Sequence, residues 1–359
     1  MKNERLQRII ANMMKNNLQQ MIITSTASIF YITGKWIESG ERLLALYINT
    51  EGDKKLFINE LFPVNEDLGV ELQIFSDSDD PIELLASTVK ENKTLGIDKE
   101  WPSHFLIGLM EKKKQLKFAN GSPIVDRVRM IKDSEEIQLM REASKINDMA
   151  MSDLIKKVIP KQYTENKVCK LLGDIYESYG TDSFSFYPLI AYGSNAAEPH
   201  HSSDNSELKI GDSIILDIGG RTNNYCSDMT RTVFYKEASD ESRNVYNIVL
   251  EANLRAIEAV KPGVRFCDID KVARDIIERA GYGKYFTHRT GHNIGIDVHE
   301  FPDVGEVNEM VVEEGMIFSI EPGIYLPGKL GVRIEDLVVV TKNGCEILNK
   351  YPKKLLVIE

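Results

Sequence analysis

The sequence predicts a two-domain α+β protein, with a smaller mixed α/β domain over residues 1–124 and a larger domain over 125–359 built on an internal pseudo-two-fold repeat. Three observations predict it. At 359 residues the chain exceeds what one ordinary hydrophobic core accommodates. A helix-start signal and a new periodicity appear in SPIVDRVRMIKDSEEIQLM. Beyond that point the order helix–helix–strand occurs twice, with the same glycine and acid punctuation.

In the first domain, residues 3–19 suit a helix. IITSTASIFYITG and RLLALYINTEGDKKLFI suit strands, with turns at Gly34 and Gly52. PIELLASTVKEN suits another helix and TLGID a short strand. Nothing here has ligand-like spacing: His104 is the domain's one histidine and its acids are scattered on polar faces. The segment reads as a packing or dimerisation unit.

The second domain opens with a long helix. Asp133 and Glu136 make a capping box, and Ile137, Met140, Ile146, Met149 and Leu154 follow at helical spacing. A helix ending at Pro160 leads into TENKVCKLLGDIYESYG, stopped by Gly180; a helix ending near Pro262 leads into CDIDKVARDIIERAGYG, stopped at Gly281 and Gly283. Each half then enters a strand, LKIGDSIILDIGG in the first and VEEGMIFSIEPGI in the second. Gly211 aligns with Gly315, Asp217 with Glu321 and Gly219 with Gly323, all at an offset of 104. Two related halves facing each other would leave a cleft lined by Asp217 and Glu321.

Composition narrows the function classes. With 42% hydrophobic and 28% charged residues the chain is a soluble globular type, and a net charge of −11 without a basic stripe argues against nucleic acid. Cys169, Cys226, Cys267 and Cys345 lie far apart with no Cys-x-x-Cys pair, as in a reducing compartment. The N-terminus, MKNERLQRIIANMMKNNLQQ, lacks a signal-peptide apolar core and no apolar run reaches bilayer length, so a cytoplasmic location is expected.

The chemistry concentrates in the duplicated strands. Asp217 ends the apolar strand SIILDIG, and NYCSDMTRTVFY would return as its partner carrying Asp228. The second half repeats this with Glu321 at the end of IFSIE and Glu335 in GVRIEDLVVV. Like charges brought together in apolar strands destabilise the fold unless a cation compensates. Five of the six histidines fall in two clusters: His200 and His201 in EPHHS, and His288, His292 and His299 in HRTGHNIGIDVHE. Four carboxylates and an imidazole are an oxygen-rich set for two divalent ions, with manganese, cobalt or iron favoured and zinc an option. The HE of VHEFPDV is no HExxH helix, since the second histidine is absent and Pro302 interrupts it.

LDIGGRTNNYCSDMTRTV, HRTGHNIGIDVHE, FSIEPGIY and GVRIEDLVVVT, in that order, resemble the signatures of the M24 metallopeptidase family with the pita-bread fold, which includes prolidase, aminopeptidase P, methionine aminopeptidase and creatinase. The N-terminal unit resembles the extra domain of prolidase, aminopeptidase P and creatinase. The resemblance implies Asp217, Asp228, His292, Glu321 and Glu335 as ligands of two divalent metals, with Asp228 and Glu335 bridging. It implies Glu321 as proton shuttle and His299 beside the oxyanion. His200 and His288 would position the substrate, Arg333 would orient the site, and His201 is an extra neighbour. The implied reaction is hydrolysis of an Xaa-Pro bond by a metal-bridging hydroxide, and a homodimer is implied too. Two departures stand out: Asn293 replaces a frequent glycine, and Arg289 follows His288 where many members carry glycine. Arg289 is a candidate for the free carboxylate of an Xaa-Pro dipeptide, which favours prolidase over aminopeptidase P. The large N-terminal domain argues against methionine aminopeptidase, and five intact ligands argue against creatinase and a non-catalytic binding protein.

Overall fold

Helix α1 (Asn3–Lys15) buries Leu6, Ile9 and Met13 on one face, and opens the first of two compact units, Met1–Arg129 and Met130–Glu359, in a computed structural model that describes residues 2–359. Strand β1 (Gln20–Ile23) follows, but the stretch read as one strand changes type at Ser25 into helix α2 (Thr26–Thr33). Ser25 caps it by accepting from the Ser28 N–H, and Gly34, at φ 80°, closes it. Burial around most of its circumference, from Ala27 to Thr33, hides any helical period, so only the caps betray it.

Strands β2 (Ala45–Asn49), β3 (Lys54–Asn59), β4 (Glu71–Phe75), β5 (Leu95–Ile97) and β6 (Phe118–Asn120) complete a six-stranded mixed sheet in the order β4-β3-β2-β1-β5-β6. Gly52, at φ 109°, makes the β2–β3 turn. Helices α3 (Pro81–Thr88, capped by Asp80), α4 (Ser103–Lys112) and α5 (Ser122–Arg129) belong to this unit.

The second unit opens with α6 (Ser134–Asp153), and both halves of its capping box form: Glu136 N–H donates to Asp133 (2.9 Å) and Asp133 N–H to Glu136 (3.0 Å). Its buried stripe runs through Met140, Ala143, Ser144, Asn147, Ala150 and Met151. Met149, expected on that stripe, is 40% exposed. Asn147 takes a core position because it receives the Tyr176 hydroxyl (2.5 Å) and donates to the Ile218 carbonyl (2.9 Å).

The first half continues through α7 (Glu165–Ser178) and strands β7 (Ser183–Phe184), β8 (Leu189–Tyr192), β9 (Ser213–Ile218), β10 (Gly220–Thr222), β11 (Tyr225–Cys226) and β12 (Met229–Tyr235). The second contains α8 (Asp240–Ala259), α9 (Phe266–Arg279), β13 (Gly291–Asn293), β14 (Glu300–Val304), β15 (Ile317–Ile320), β16 (Gly323–Leu326), β17 (Leu330–Arg333), β18 (Asp336–Thr341), β19 (Gly344–Ile347) and β20 (Val357–Ile358). One sheet runs β20-β12-β9-β8 and another β14-β13-β15-β18-β19; β16 and β17 form a hairpin, and β11-β10-β7 a small third sheet. The antiparallel trio β8-β9-β12 is thus repeated as β13-β15-β18. Gly211 and Gly315 both sit at φ 87°, as their alignment requires. The left-handed stops of α7 and α9 are Gly180 and Gly281 (φ 74° and 86°), so the helices align at an offset of 101 where the strands align at 104.

The halves are stitched edge to edge. Glu335 N–H donates to the Thr230 carbonyl (3.1 Å), the Thr232 hydroxyl donates to the Arg333 carbonyl (2.8 Å), and Arg333 N–H donates back to that hydroxyl (3.1 Å). Among the described residues, no helix is long and apolar enough to cross a membrane.

Candidate active site

The register of the two strand pairs delivers the acids. Asp217 on β9 lies opposite Thr230, with Asp228 just before β12; Ile320 lies opposite Asp336, so Glu321 and Glu335 flank the next step of that ladder. All four reach a cavity of about 630 Å³ in the second unit, joined there by His292 from β13. The His292 Nδ1 faces the Asn293 carbonyl (3.1 Å) and so carries the proton, which turns a bare Nε2 toward Asp228 Oδ2 (3.6 Å) and Glu321 Oε1 (3.5 Å). Ligand atoms of Asp228, His292 and Glu335 lie within 4.8 Å of one another.

Among the described residues, one oxygen each of Asp217, Asp228 and Glu335 is buried without a hydrogen-bond donor. Buried carboxylate oxygens normally find donors, and leaving them bare is costly. Clustered, oxygen-rich and completed by one neutral imidazole, this set fits hard divalent cations. Electrostatics agree. Burial pushes Asp228 and Glu335 well above the usual carboxylate range, with neighbouring acids adding to it, and burial beside Asp217 lifts Glu321 to about 7. Burial, with His299 nearby, lowers His292 to about 3 and keeps it neutral.

Arg333 ties this floor to its wall. Its guanidinium donates to Asp217 Oδ2 (2.7 Å), the Tyr325 hydroxyl (2.8 Å) and Thr230 Oγ1 (3.2 Å), and the Thr230 hydroxyl donates to Glu335 (2.7 Å). His288 is fully engaged: Nδ1 donates to the Arg289 carbonyl (2.7 Å) and Nε2 accepts from the Tyr325 hydroxyl (2.8 Å). Burial, with Arg333 nearby, lowers it to about 4. His200 and His299 line the cavity with exposed rings that make no hydrogen bond among the described residues. Arg289 is at the mouth, paired with Asp303 (2.8 Å). The structure therefore brings every sequence-derived candidate to one cavity, while giving His288 no ring nitrogen to spare.

Several positioning groups escaped the sequence reading. Tyr325 bridges Arg333 and His288, and Thr230 bridges Arg333 and Glu335. Asp270 accepts from Thr290 (Oγ1, 2.7 Å) and Arg274 (Nε, 2.9 Å), while Arg274 also donates to the His288 carbonyl (3.1 Å). Thr290 in turn offers its carbonyl to the Glu321 N–H (2.7 Å). Lys132 pairs with Glu300 (3.1 Å), whose other oxygen accepts from the Ile296 N–H (3.0 Å) ahead of His299. A readable signal existed for Asp270 and for Glu165: each is an acid on the apolar stripe of an amphipathic helix. Asn293, the departure in the histidine segment, donates to the Pro302 carbonyl (2.8 Å) and so braces β13 against β14.

Residues 138–342 match the model of metallopeptidase family M24, and residues 5–131 match the creatinase/prolidase N-terminal domain. Among solved structures, a recombinant prolidase from Thermococcus sibiricus superposes with a TM-score of 0.95 at 32% identity, over 100% of this chain and 99% of that one. An Xaa-Pro dipeptidase from Bacillus anthracis gives 0.89 at 30% identity, over 99% of each chain. An uncharacterized peptidase of Staphylococcus aureus is 34% identical over 97% of this chain and 99% of its own length. With the duplicated strands, the paired carboxylates and both domain models in agreement, the chain belongs to the M24 metallopeptidases, with the pita-bread fold and a creatinase/prolidase-type N-terminal domain.

Proposed function

We propose that this metallopeptidase is an Xaa-Pro dipeptidase that holds two divalent ions through Asp217, Asp228, His292, Glu321 and Glu335. The observation that carries this reading is the trio of bare buried oxygens on Asp217, Asp228 and Glu335, in the cavity that His292 also lines. Divalent ions there supply Lewis acidity and a water activated for attack near neutral pH. Manganese is the favoured metal, on the hard, thiolate-free donor set.

The chain's own groups account for the rest. Glu321, still 16% exposed to the cavity, takes the proton of the attacking water and returns it to the proline nitrogen as the C–N bond breaks and the C–O bond forms. His299 and His200, whose ring nitrogens make no hydrogen bond among the described residues, donate to the substrate carbonyl and to the developing oxyanion. His288 acts one step back, holding the Tyr325 hydroxyl that aligns Arg333 and hence Asp217. Proline has no amide N–H and a fixed φ, so a site that recognises the bond without that N–H gains selectivity. Arg289 would exchange Asp303 for the carboxylate of the dipeptide. A cytoplasmic location is part of the proposal, supported by four free cysteines, and so is a homodimer, suggested by family resemblance.

Manganese-reconstituted protein should hydrolyse Ala-Pro, and leave Ala-Pro-Ala and Met-Ala-Ser largely intact. Cleavage of the tripeptide at proline would move the assignment to aminopeptidase P. No proline-dependent cleavage would overturn the function. Arg289→Ala should raise KM for Ala-Pro; an unchanged KM removes its carboxylate role.

A further inference from the structure

The first residue of α7, Glu165, is fully buried, yet its carboxylate is saturated by donors from a single segment. Oε1 accepts from the Tyr192 N–H (2.8 Å) and the Asn195 amide (3.0 Å). Oε2 accepts from His201 Nε2 (2.8 Å) and the Asp204 N–H (2.9 Å). A carboxylate offers about four acceptor sites, and all are occupied by N–H groups. The trio Glu165, His201 and Asp204 has ligand-like proximity, but its central oxygens are already satisfied, so it works as a clamp rather than a cation site.

What the clamp holds is the wall of the cavity. Residues 192–204 carry Pro199 and His200, which line it. The opposite side of the segment is fixed as well: a Cβ on Gly331 would fall 1.7 Å from the Ala196 carbonyl oxygen, so backbone packs directly on β17, and Arg333 donates to the Pro199 carbonyl (3.3 Å). The adjacent histidines therefore divide their labour. His201 commits its Nε2 to Glu165, and His200 presents to the cavity an imidazole with no hydrogen bond among the described residues.

We propose that Glu165 is a positioning residue which, through His201 and the backbone of residues 192–204, sets the His200 imidazole against bound substrate. The proposal rests on the proposed function in placing His200 against a peptide. Glu165→Gln tests it, because the amide nitrogen cannot accept from His201 or the Asp204 N–H. In the manganese-loaded protein, amide hydrogen exchange over residues 190–206 should become about tenfold faster, with β15 and β18 unchanged. Metal content should be unchanged, and kcat for Ala-Pro should fall by up to about 100-fold, the scale of a misplaced contact group. Added to His200→Ala, Glu165→Gln should cost less than about a further twofold, since both act on one contact.

Losses that multiply in the double variant, or unchanged exchange in 190–206, would overturn the proposal. Should Glu165→Gln fail to fold, His201→Gln and His201→Ala decide it. Glutamine keeps a side-chain N–H near the ring Nε2 position and should recover most of the activity that alanine loses; no recovery overturns the clamp. A wild-type enzyme inactive on Ala-Pro would overturn the proposed function and the substrate half of this proposal, whereas unchanged exchange overturns the clamp alone.

Discussion

Removing the divalent ions should make the second unit less stable as pH rises, opposite to the usual acid lability of carboxylate-rich proteins. Burial, with Asp217 nearby, holds Glu321 at about 7 against an ordinary 4.5. Below pH 4.5 the group is protonated whether the chain is folded or not. Between the two values the unfolded chain releases a proton that the folded one retains, so stability falls with pH and the full loss is reached above 7. At 1.36 kcal/mol per unit the shift amounts to about 3 kcal/mol, and Asp228 and Glu335 move in the same direction. About three quarters of it is lost between pH 5 and 7.5, a fall of roughly 5–10 °C in Tm for a unit of this size. Thermal melts of chelator-treated protein at both pH values measure it. Manganese should reverse the trend, since a bound cation favours the charged carboxylates. Glu321→Gln sharpens the test: without metal at pH 7.5 it should be more stable than the wild type by up to about 3 kcal/mol, yet inactive. A metal-free Tm that stays level or rises from pH 5 to 7.5, or a glutamine variant no more stable at pH 7.5, would refute the electrostatic account.

Three other perturbations follow from the same geometry. Tyr325→Phe strips a partner from both Arg333 and His288, and should lower kcat/KM on Ala-Pro by about 10- to 100-fold, from an unpaired-group cost of about 1–3 kcal/mol, with metal content intact. Lost metal would reassign its role. Asp270→Asn leaves the Arg274 guanidinium, 23% exposed, without its counter-charge; urea melts should show a loss of about 2 kcal/mol, below the fully buried case because of that exposure. Gly291→Ala would put a Cβ 1.9 Å from the Ser319 carbonyl oxygen, forcing β13 off β15; manganese titration should show affinity falling along with stability.

Much of the site was legible because its chemistry is written in local strings. Asp217, Asp228, Glu321 and Glu335 each sit at the end of, or inside, an apolar strand, and the duplication pairs them before any fold is known. What escaped were interactions joining residues far apart in sequence. Thr230 meets Glu335 across 105 residues, and nothing near Thr230 announces a threonine that orients a carboxylate. Tyr325 is close to Glu321 in sequence, yet its meaning lies in the hairpin register that sets Gly323 opposite Arg333. His288 reads as a free histidine until both its ring nitrogens are traced to partners. In the first unit, α2 does not read as a helix because burial on nearly all sides removes the polar face that marks one, leaving Ser25 and Gly34 as its only signals.

The seam between the duplicated halves has an evolutionary consequence. Asp217 and Asp228 come from one side of it, and His292, Glu321 and Glu335 from the other, so neither half holds the whole of the proposed ligand set. An ancestral single-length chain could have formed such a centre only by pairing with its own copy, which would have made both contributions identical. Fusion freed the copies to drift apart. The left-handed glycines at 180, 211, 281 and 315, which backbone geometry polices, stayed in both halves. At the matched strand ends one copy now has Asp217 and the other Glu321, and only the second adds an imidazole. An asymmetric bond cleavage needs distinct groups on the two sides of the peptide, and joining the halves in one chain allowed that inequality to be inherited.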